Sequence, residues 1–222
     1  MEISYWKSRW HQDNTGWQME SVYPLLPDLW KRQGLKSQTT VLVPLCGNSP
    51  DLHWLVEAGH RVIGVDVSEK ALKHAMEYHS TEFTEDTSHG FRIFRSSKMD
   101  LWQGDFLTLP THKLPDIDLI YDKAALIALP PEMRPDYAQQ IRRLTNPQTQ
   151  QLVQTFEYEQ HEMPGPPFSV HENEIANYYG NHFSIEVVHE QSKLDAFPKF
   201  QQRGLSSYFT EKVYHLKPIH QH

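Results

Sequence analysis

The chain has 222 residues, of which 38% are hydrophobic and 22% charged, and its formal net charge at pH 7 is −7. This composition is typical of one globular domain, and an acidic chain without a basic stripe argues against nucleic-acid or anionic-membrane binding, which both need clustered lysine and arginine. No apolar run is long enough for a signal peptide or membrane span, and the single cysteine, Cys46, excludes an internal disulfide, so we expect a cytoplasmic protein.

The N-terminal part is expected to form a helical cover ahead of the main fold. Residues 1–20 are polar and aromatic with weak periodicity, and a short predicted helix follows and ends at Gly34. We therefore expect one domain over residues 1–222, with the cover at residues 1–34 and an α/β core at residues 39–222.

Strands and helices alternate in the first part of this core. In chain order the predictions are strand 39–45, helix 49–59, strand 60–68, a helix to about residue 79, strand 99–106, strand 116–122, helix 130–144 and strand 150–158. Strands that alternate with helices of this length pair in parallel through right-handed crossovers. The sequence thus predicts a three-layer, doubly wound, mostly parallel sheet of the Rossmann-like type, while the polar residues 80–90 are predicted as a loop.

The last part of the chain has a different pattern. A proline-rich loop is predicted at residues 159–170, followed by a helix at 171–180. Two strands, at 183–190 and 207–216, follow with no clear helix between them. We expect these strands to form an antiparallel terminal pair.

Ligands of open α/β sheets bind at the carboxyl ends of the strands, and the first two strand ends indicate a nucleoside. The turn after the first strand has one glycine, Gly47, where dinucleotide sites have three. Pro50 then lacks an N–H donor, and the negative charge of Asp51 would repel a phosphate. Asp66 lies 19 positions after Gly47, where such sheets place the carboxylate that accepts from ribose hydroxyls. S-Adenosylmethionine, a nucleoside without phosphate, fits this pattern, although Asp66 could also serve only as a turn residue.

Two further strand ends carry polar side chains. Asp105 could accept from the exocyclic amine of adenine, with Trp102 or Phe106 against the ring, or it could be the polar end of a core strand. Lys123 would place a cation beside the cleft, or it could be a solvated lysine. The chain has fourteen histidines but no His-Glu-x-x-His motif, so no metal site is expected.

Several segments resemble bacterial thiopurine S-methyltransferases. They are "PLCGNSPDLHWLVEAGHRVIGVDVSEKAL" from residue 44, "DLIYDKAALIALPPEMRPDYA" from residue 118 and "MPGPPFSV" from residue 163. The resemblance spans nearly the whole chain. It implies a class I methyltransferase that uses S-adenosyl-L-methionine to methylate the sulfur of aromatic or heterocyclic thiols such as thiopurines. We expect no catalytic side chain, because an acidic aromatic thiol or thione can react as its anion.

The resemblance also implies roles for individual residues. Trp10 matches a cofactor-contacting tryptophan of the lid, and Leu45 matches a leucine beside the methionine portion. Asp66 matches the acidic residue on the ribose, and Asp105 falls where the family contacts adenine. Lys123 matches a basic residue near the cofactor carboxylate and the acceptor.

This chain departs from the family pattern at two positions. Lys123 replaces the usual arginine, which keeps the charge but loses the planar fork that binds a carboxylate through two hydrogen bonds. Trp17 stands where related chains have a phenylalanine, so we expect a tighter acceptor pocket.

Two other functions remain open from the sequence. One is methylation of inorganic acceptors such as tellurite, selenite, halide or hydrosulfide, and the other is binding of S-adenosylmethionine without catalysis. A nicotinamide-dependent enzyme is disfavoured by the missing glycines. The expected partner is a small-molecule thiol or chalcogen acceptor, with no nucleic acid and no membrane, and the expected state is a monomer.

Overall fold

The computed structural model of the protein describes residues 3–79 and 81–219. The outer ends of the expected domain 1–222, and residue 80 of the expected loop, lie outside these ranges. The division into a cover and one core domain stays a prediction, and the two compact units of the chain are described separately below.

The first unit, Met1–Ile120, contains two helices followed by alternating strands and helices. Its helices are α1 (Ile3–His11), α2 (Leu26–Arg32), α3 (Pro50–Glu57) and α4 (Glu69–Glu77). Its strands are β1 (Thr40–Pro44), β2 (Arg61–Asp66), β3 (Thr84–Ser88), β4 (Phe91–Arg95) and β5 (Met99–Gln103), and β6 (Leu119–Lys123) begins in it. The strand order is β3-β4-β5-β2-β1-β6, and β5, β2, β1 and β6 pair in parallel. The predicted fold class is therefore confirmed.

The central strands are apolar on both faces. Val41 and Leu42 of β1 and Val62 and Ile63 of β2 are all completely buried. A strand with only one covered face would alternate between buried and exposed residues, so this pattern shows that both faces of the sheet are covered.

Local capping sets the starts of the helices that follow β1 and β2. The Ser49 side chain accepts a hydrogen bond from the Asp51 N–H at the start of α3, and the Ser68 side chain accepts one from the Ala71 N–H at the start of α4. Serine is favoured at this position because its hydroxyl satisfies a free N–H of the first turn.

The prediction of a loop at residues 80–90 was wrong for its second half, where β3 forms a hairpin with β4. His89 and Gly90 both have positive φ, 50° and 84°, as a tight hairpin turn requires. Arg92 binds Glu85 across the hairpin at 2.8 Å. β3 is an edge strand with exposed polar side chains, so it lacks the apolar alternation by which a strand is predicted.

The second unit, Tyr121–His222, contains the end of β6 and an antiparallel part of the sheet. Its other elements are α5 (Arg134–Arg143), β7 (Gln150–Glu157), α6 (Glu172–Tyr179), β8 (Phe183–Ser192), α7 (Pro198–Gln201) and β9 (Thr210–Pro218). The strand order is β6-β7-β9-β8, and β9 pairs antiparallel with both β7 and β8. The terminal strand pair is confirmed, whereas the expected absence of a helix before β9 is wrong, because α7 forms one turn there.

Candidate functional site

The turn after β1 is held against the end of β2 by its backbone. Leu45 and Gly47 both adopt positive φ, 46° and 54°, which is an unfavourable conformation for a leucine. The Cys46 N–H donates to the Val65 carbonyl at 3.0 Å, and the Gly47 N–H donates to Asp66 Oδ2 at 2.8 Å. Three of the predicted site residues, Leu45, Gly47 and Asp66, are thus brought together.

Asp66 is the most constrained of the predicted site residues. Its side chain is buried, and its second oxygen, Oδ1, accepts from the Ser68 N–H at 2.8 Å. Burial raises the pKa of Asp66 to about 6, although the hydrogen bonds from Ser68 and Gly47 lower it. A carboxylate has about four acceptor positions, so each oxygen can still accept from a ligand hydroxyl.

Trp10, on α1, lies over the same turn. A Cβ atom placed on Gly47 would be 3.1 Å from Cζ2 of Trp10, so the glycine permits the close approach of the indole ring. Trp10 is buried, and its ring makes an edge contact with Trp17 at a centroid distance of 6.0 Å. An ion pair of 2.6 Å between Asp13 and Lys70 ties the segment after α1 to α4. The N-terminal segment therefore covers this turn.

A pocket adjoins the carboxyl ends of β2 and β5. It is lined by Val67, Gln103, Gly104 and Asp105 from the strand ends, by Ile3 and Lys7 from α1, and by Gly90 and Arg92 from the hairpin. Asp105 Oδ1 accepts from the Leu107 N–H at 3.0 Å and so caps a short 3-10 turn. The rings of Trp102 and Phe106, expected to pack on adenine, are each only 1% exposed, so polar side chains line this part of the pocket instead.

Gln103 is a candidate binding residue that the sequence interpretation missed. Its Oε1 atom is buried and has no hydrogen-bond partner within the described residues. An amide group presents one donor and one acceptor side by side, which matches the neighbouring ring nitrogen and exocyclic amine of adenine. Such an unsatisfied acceptor in the pocket wall fits an adenine-containing cofactor. The only sequence signal was a polar residue at the carboxyl end of a predicted strand.

In the second unit, Lys123 ends β6 and is partly exposed. The next residue, Ala124, has a positive φ of 66°. Asp122 holds this turn, because its carboxylate accepts from the Leu126 N–H at 3.0 Å and from the Tyr137 hydroxyl at 2.8 Å. Burial also raises the pKa of Asp122 to about 6. Asp122 is a second residue that the sequence interpretation did not single out.

Possible metal ligands and the single cysteine were also compared with the sequence expectations over the described residues. Within residues 3–79 and 81–219, no three His, Cys, Asp or Glu side chains are grouped to hold a metal ion. The Cys46 thiol is buried, and its burial raises its pKa well above the ordinary value, so it is a poor nucleophile. Nor does any helix in those ranges have the length and apolar character needed to cross a membrane.

Several solved structures that resemble the chain are methyltransferases. A 1,6-didemethyltoxoflavin-N1-methyltransferase from Burkholderia thailandensis, with bound 1,6-didemethyltoxoflavin and S-adenosylhomocysteine, has a TM-score of 0.63 and 18% identity and covers 97% of this chain and 87% of its own. A SAM-dependent methyltransferase from Anabaena variabilis has a TM-score of 0.65 and 16% identity, and the match covers 98% of this chain and 95% of that chain. At this identity the likeness shows the fold, a class I methyltransferase fold.

Sequence relatives show the family. The model of the family described as Thiopurine S-methyltransferase (TPMT) matches residues 1–218. The thiopurine S-methyltransferase of Pseudomonas fluorescens strain SBW25 is 37% identical over 216 residues, which are 97% of this chain and 99% of the relative. The thiopurine S-methyltransferase of Pseudomonas aeruginosa strain LESB58 is 38% identical over 217 residues, which are 98% of this chain and 99% of the relative. The chain therefore belongs to the thiopurine S-methyltransferase family, a family of S-adenosyl-L-methionine-dependent methyltransferases.

Proposed function

We propose that the protein transfers a methyl group from S-adenosyl-L-methionine to the sulfur of aromatic or heterocyclic thiols such as thiopurines. The observation that carries this proposal is the buried Asp66 at the end of β2, hydrogen-bonded to the Gly47 turn that Trp10 covers. The names of the relatives support thiols as the acceptor class. We also propose that the protein acts as a monomer.

Each part of the cofactor has a matching group in the first unit. Asp66 would accept from the ribose hydroxyls, and Gln103 and Asp105 would face the adenine edge. The backbone at Leu45 and Gly47 would lie beside the methionine portion, under the Trp10 ring. These groups are already held by the fold, so they need little reordering when the cofactor binds.

The proposed reaction depends on the alignment of the acceptor with the methyl group more than on acid–base catalysis. The cofactor supplies a methyl group on a positively charged sulfur. The chain would hold the acceptor in line with that group and exclude water, an effect of proximity that can lower a barrier by up to about 7–11 kcal/mol. Lys123 would supply a positive charge that favours the anionic form of an acidic thiol.

We expect Lys123→Ala to lower kcat/KM for an aromatic thiol by about 10- to 100-fold, because a cation beside the bound acceptor lowers the pKa of the thiol by about one to two units and so raises the fraction present as the reactive anion. The loss should be larger below the pKa of the thiol, where the lysine has to shift the acceptor towards its anion. Steady-state rates with 6-mercaptopurine between pH 6 and 9 measure this. Lys123→Arg is the matched control, since it keeps the charge. Unchanged rates and unchanged cofactor affinity in Lys123→Ala would contradict the role.

Replacing Gln103 by leucine should weaken S-adenosylhomocysteine binding about five- to tenfold, which corresponds to the loss of about one hydrogen bond. Isothermal titration calorimetry of both proteins measures the change. Gln191→Leu, on the exposed face of β8, is the control and should bind like the wild type. Equal dissociation constants for the Gln103→Leu variant and the wild type would show that this amide does not read adenine.

The pH dependence of cofactor binding should follow Asp66, whose pKa is about 6. Because the ionised carboxylate is the better acceptor, affinity should fall roughly tenfold between pH 7 and pH 5. Stability changes in the opposite direction: a folded pKa above the usual value means that this group stabilises the fold as the pH falls from about 6 towards 4. Calorimetric titrations across this range, with Asp66→Asn expected to show a flat profile, separate weaker binding from unfolding.

One experiment tests the function as a whole. Purified protein is titrated with S-adenosyl-L-methionine and S-adenosylhomocysteine and then assayed for methyl transfer to 6-mercaptopurine. Micromolar binding together with S-methylated product supports the proposal. Binding without that product, but with volatile methylated tellurium, selenium or halide in the headspace, would reassign the acceptor. Binding with no product of any kind would point to a non-catalytic binding protein, and absence of binding would refute the cofactor site.

A further inference from the structure

One arginine from a later segment, Arg203, contacts the proline-rich loop, residues 159–170, at two points. Pro164, Pro166 and Pro167 have no N–H groups, so this stretch cannot stabilise itself through regular backbone hydrogen bonds. The Arg203 guanidinium donates to the Pro164 carbonyl and, at 3.2 Å, to the Pro166 carbonyl. One planar group therefore fixes two points of the loop.

A second contact runs in the opposite direction, from the loop to the later segment. Glu162 Oε2 accepts from the Ser206 N–H at 2.7 Å and from the Ser207 N–H at 3.0 Å. These hydrogen bonds lower the pKa of Glu162 to about 2, so the carboxylate stays ionised at any working pH. At Gly204, with a φ of 114°, an added Cβ would lie 2.5 Å from the Glu162 carbonyl oxygen, so only glycine permits this approach.

Arg203 is itself held in place by an aromatic cluster. Its guanidinium lies 5.6 Å from the centroid of the Phe200 ring. Phe200 stacks on Phe197 at 5.1 Å, and both rings make contacts with the buried Phe209. Tyr158, at the start of the loop, also packs against Phe209. The loop and residues 203–207 are thus joined through polar contacts above a shared apolar base.

The other side of the loop touches the segment that follows Lys123. The Phe168 N–H donates to the Ile127 carbonyl at 2.7 Å. Buried Arg134 also bridges the two, since it donates to the carbonyls of Leu129 and Ser169. The loop is therefore fixed on both sides, and one of those sides is the segment next to the cation proposed for the acceptor.

We propose that Glu162 and Arg203 are positioning residues that hold the proline-rich loop as a rigid wall of the acceptor site, and that this wall gives the enzyme its preference for flat aromatic thiols. The inference rests on the proposed function. Neither side chain needs to touch the thiol. A wall that is ordered before binding adds no ordering cost when a large acceptor packs against it, whereas a small acceptor gains nothing from it.

The test compares Arg203→Ala and Glu162→Ala with Lys199→Ala, an exposed control on α7. Each protein is assayed with 6-mercaptopurine and with hydrosulfide, titrated with S-adenosylhomocysteine, and followed by hydrogen exchange over residues 160–169 and 203–207. We expect both test variants to raise KM for 6-mercaptopurine about tenfold, with kcat and the cofactor dissociation constant within twofold of wild type. KM for hydrosulfide should stay unchanged, and exchange should accelerate in both segments together.

Several results would overturn the inference. They are faster exchange with an unchanged KM for 6-mercaptopurine, an equal rise in KM for both acceptors, and slow exchange retained in both variants. Failure of the proposed function looks different, because the wild-type protein would then bind no S-adenosylhomocysteine or methylate neither thiol. In that case the proposed acceptor preference is also wrong. Hydrogen exchange alone would then still show whether Glu162 and Arg203 hold the loop in place.

Discussion

Asp66→Ala should weaken S-adenosyl-L-methionine binding by about 100-fold or more. The carboxylate is the acceptor proposed for two ribose hydroxyls, and hydrogen bonds to a charged group contribute about 1.5–3 kcal/mol each. A loss of about 3 kcal/mol corresponds to roughly a 100-fold change in the dissociation constant. The substitution also leaves the N–H groups of Gly47 and Ser68 without their acceptor, so the turn that faces the cofactor would lose its shape. Isothermal titration with S-adenosyl-L-methionine measures the effect.

The control for this variant is another buried aspartate of the same unit. Asp100, near the start of β5, is 3% exposed and binds Arg61 at 3.0 Å and Arg95 at 2.8 Å. It lies at the opposite end of the strand from Gln103, so Asp100→Ala should reduce stability without changing cofactor affinity. If the two variants lost affinity equally, the effect at Asp66 would be general destabilisation and not loss of a ribose contact.

The parts of the site that could be predicted from the sequence rest on local signals. An apolar run followed by a glycine and a serine cap is enough to predict the turn at Gly47, and the next strand end then identifies Asp66. Both signals are local, because capping and strand burial act within a few residues. The pairing of Gly47 with Asp66 and the position of Trp10 over the turn had to come from the resemblance or from the structure.

The parts that could not be predicted depend on how polar groups pair once the chain is folded. β3 is polar throughout and forms only because it pairs with β4, so no periodicity indicates it. Gln103 is identified only because its side-chain oxygen has no hydrogen-bond partner among the described residues once the core has packed. Arg203 contacts carbonyls more than 35 positions earlier. Each depends on how polar groups pair in the folded chain, and a single sequence does not display that pairing.

Arg134→Met should lower the free energy of unfolding by about 3–5 kcal/mol, the range seen when one partner of a buried ion pair is removed. Arg134 is completely buried, and its Nη1 donates to Glu174 Oε2 at 2.7 Å. The other two donors, Nε and Nη2, bind the carbonyls of Leu129 and Ser169 at 3.0 and 2.9 Å. Methionine fills a similar volume but satisfies none of these acceptors. Urea denaturation at pH 7 measures the loss, and for a chain of this size Tm should fall by roughly 10 °C.

The control is an arginine of the same helix, since Arg143 is exposed at the end of α5. Arg143→Met should change the free energy of unfolding by no more than about 0.5 kcal/mol. Combining Arg134→Met with Glu174→Gln should recover part of the loss, since the unpaired carboxylate is then gone. The carbonyls of Leu129 and Ser169 would remain without donors, so recovery should be incomplete. A loss below about 1 kcal/mol in the single variant would show that water replaces the guanidinium, and that Arg134 does not fasten the proline-rich loop to the segment after Lys123.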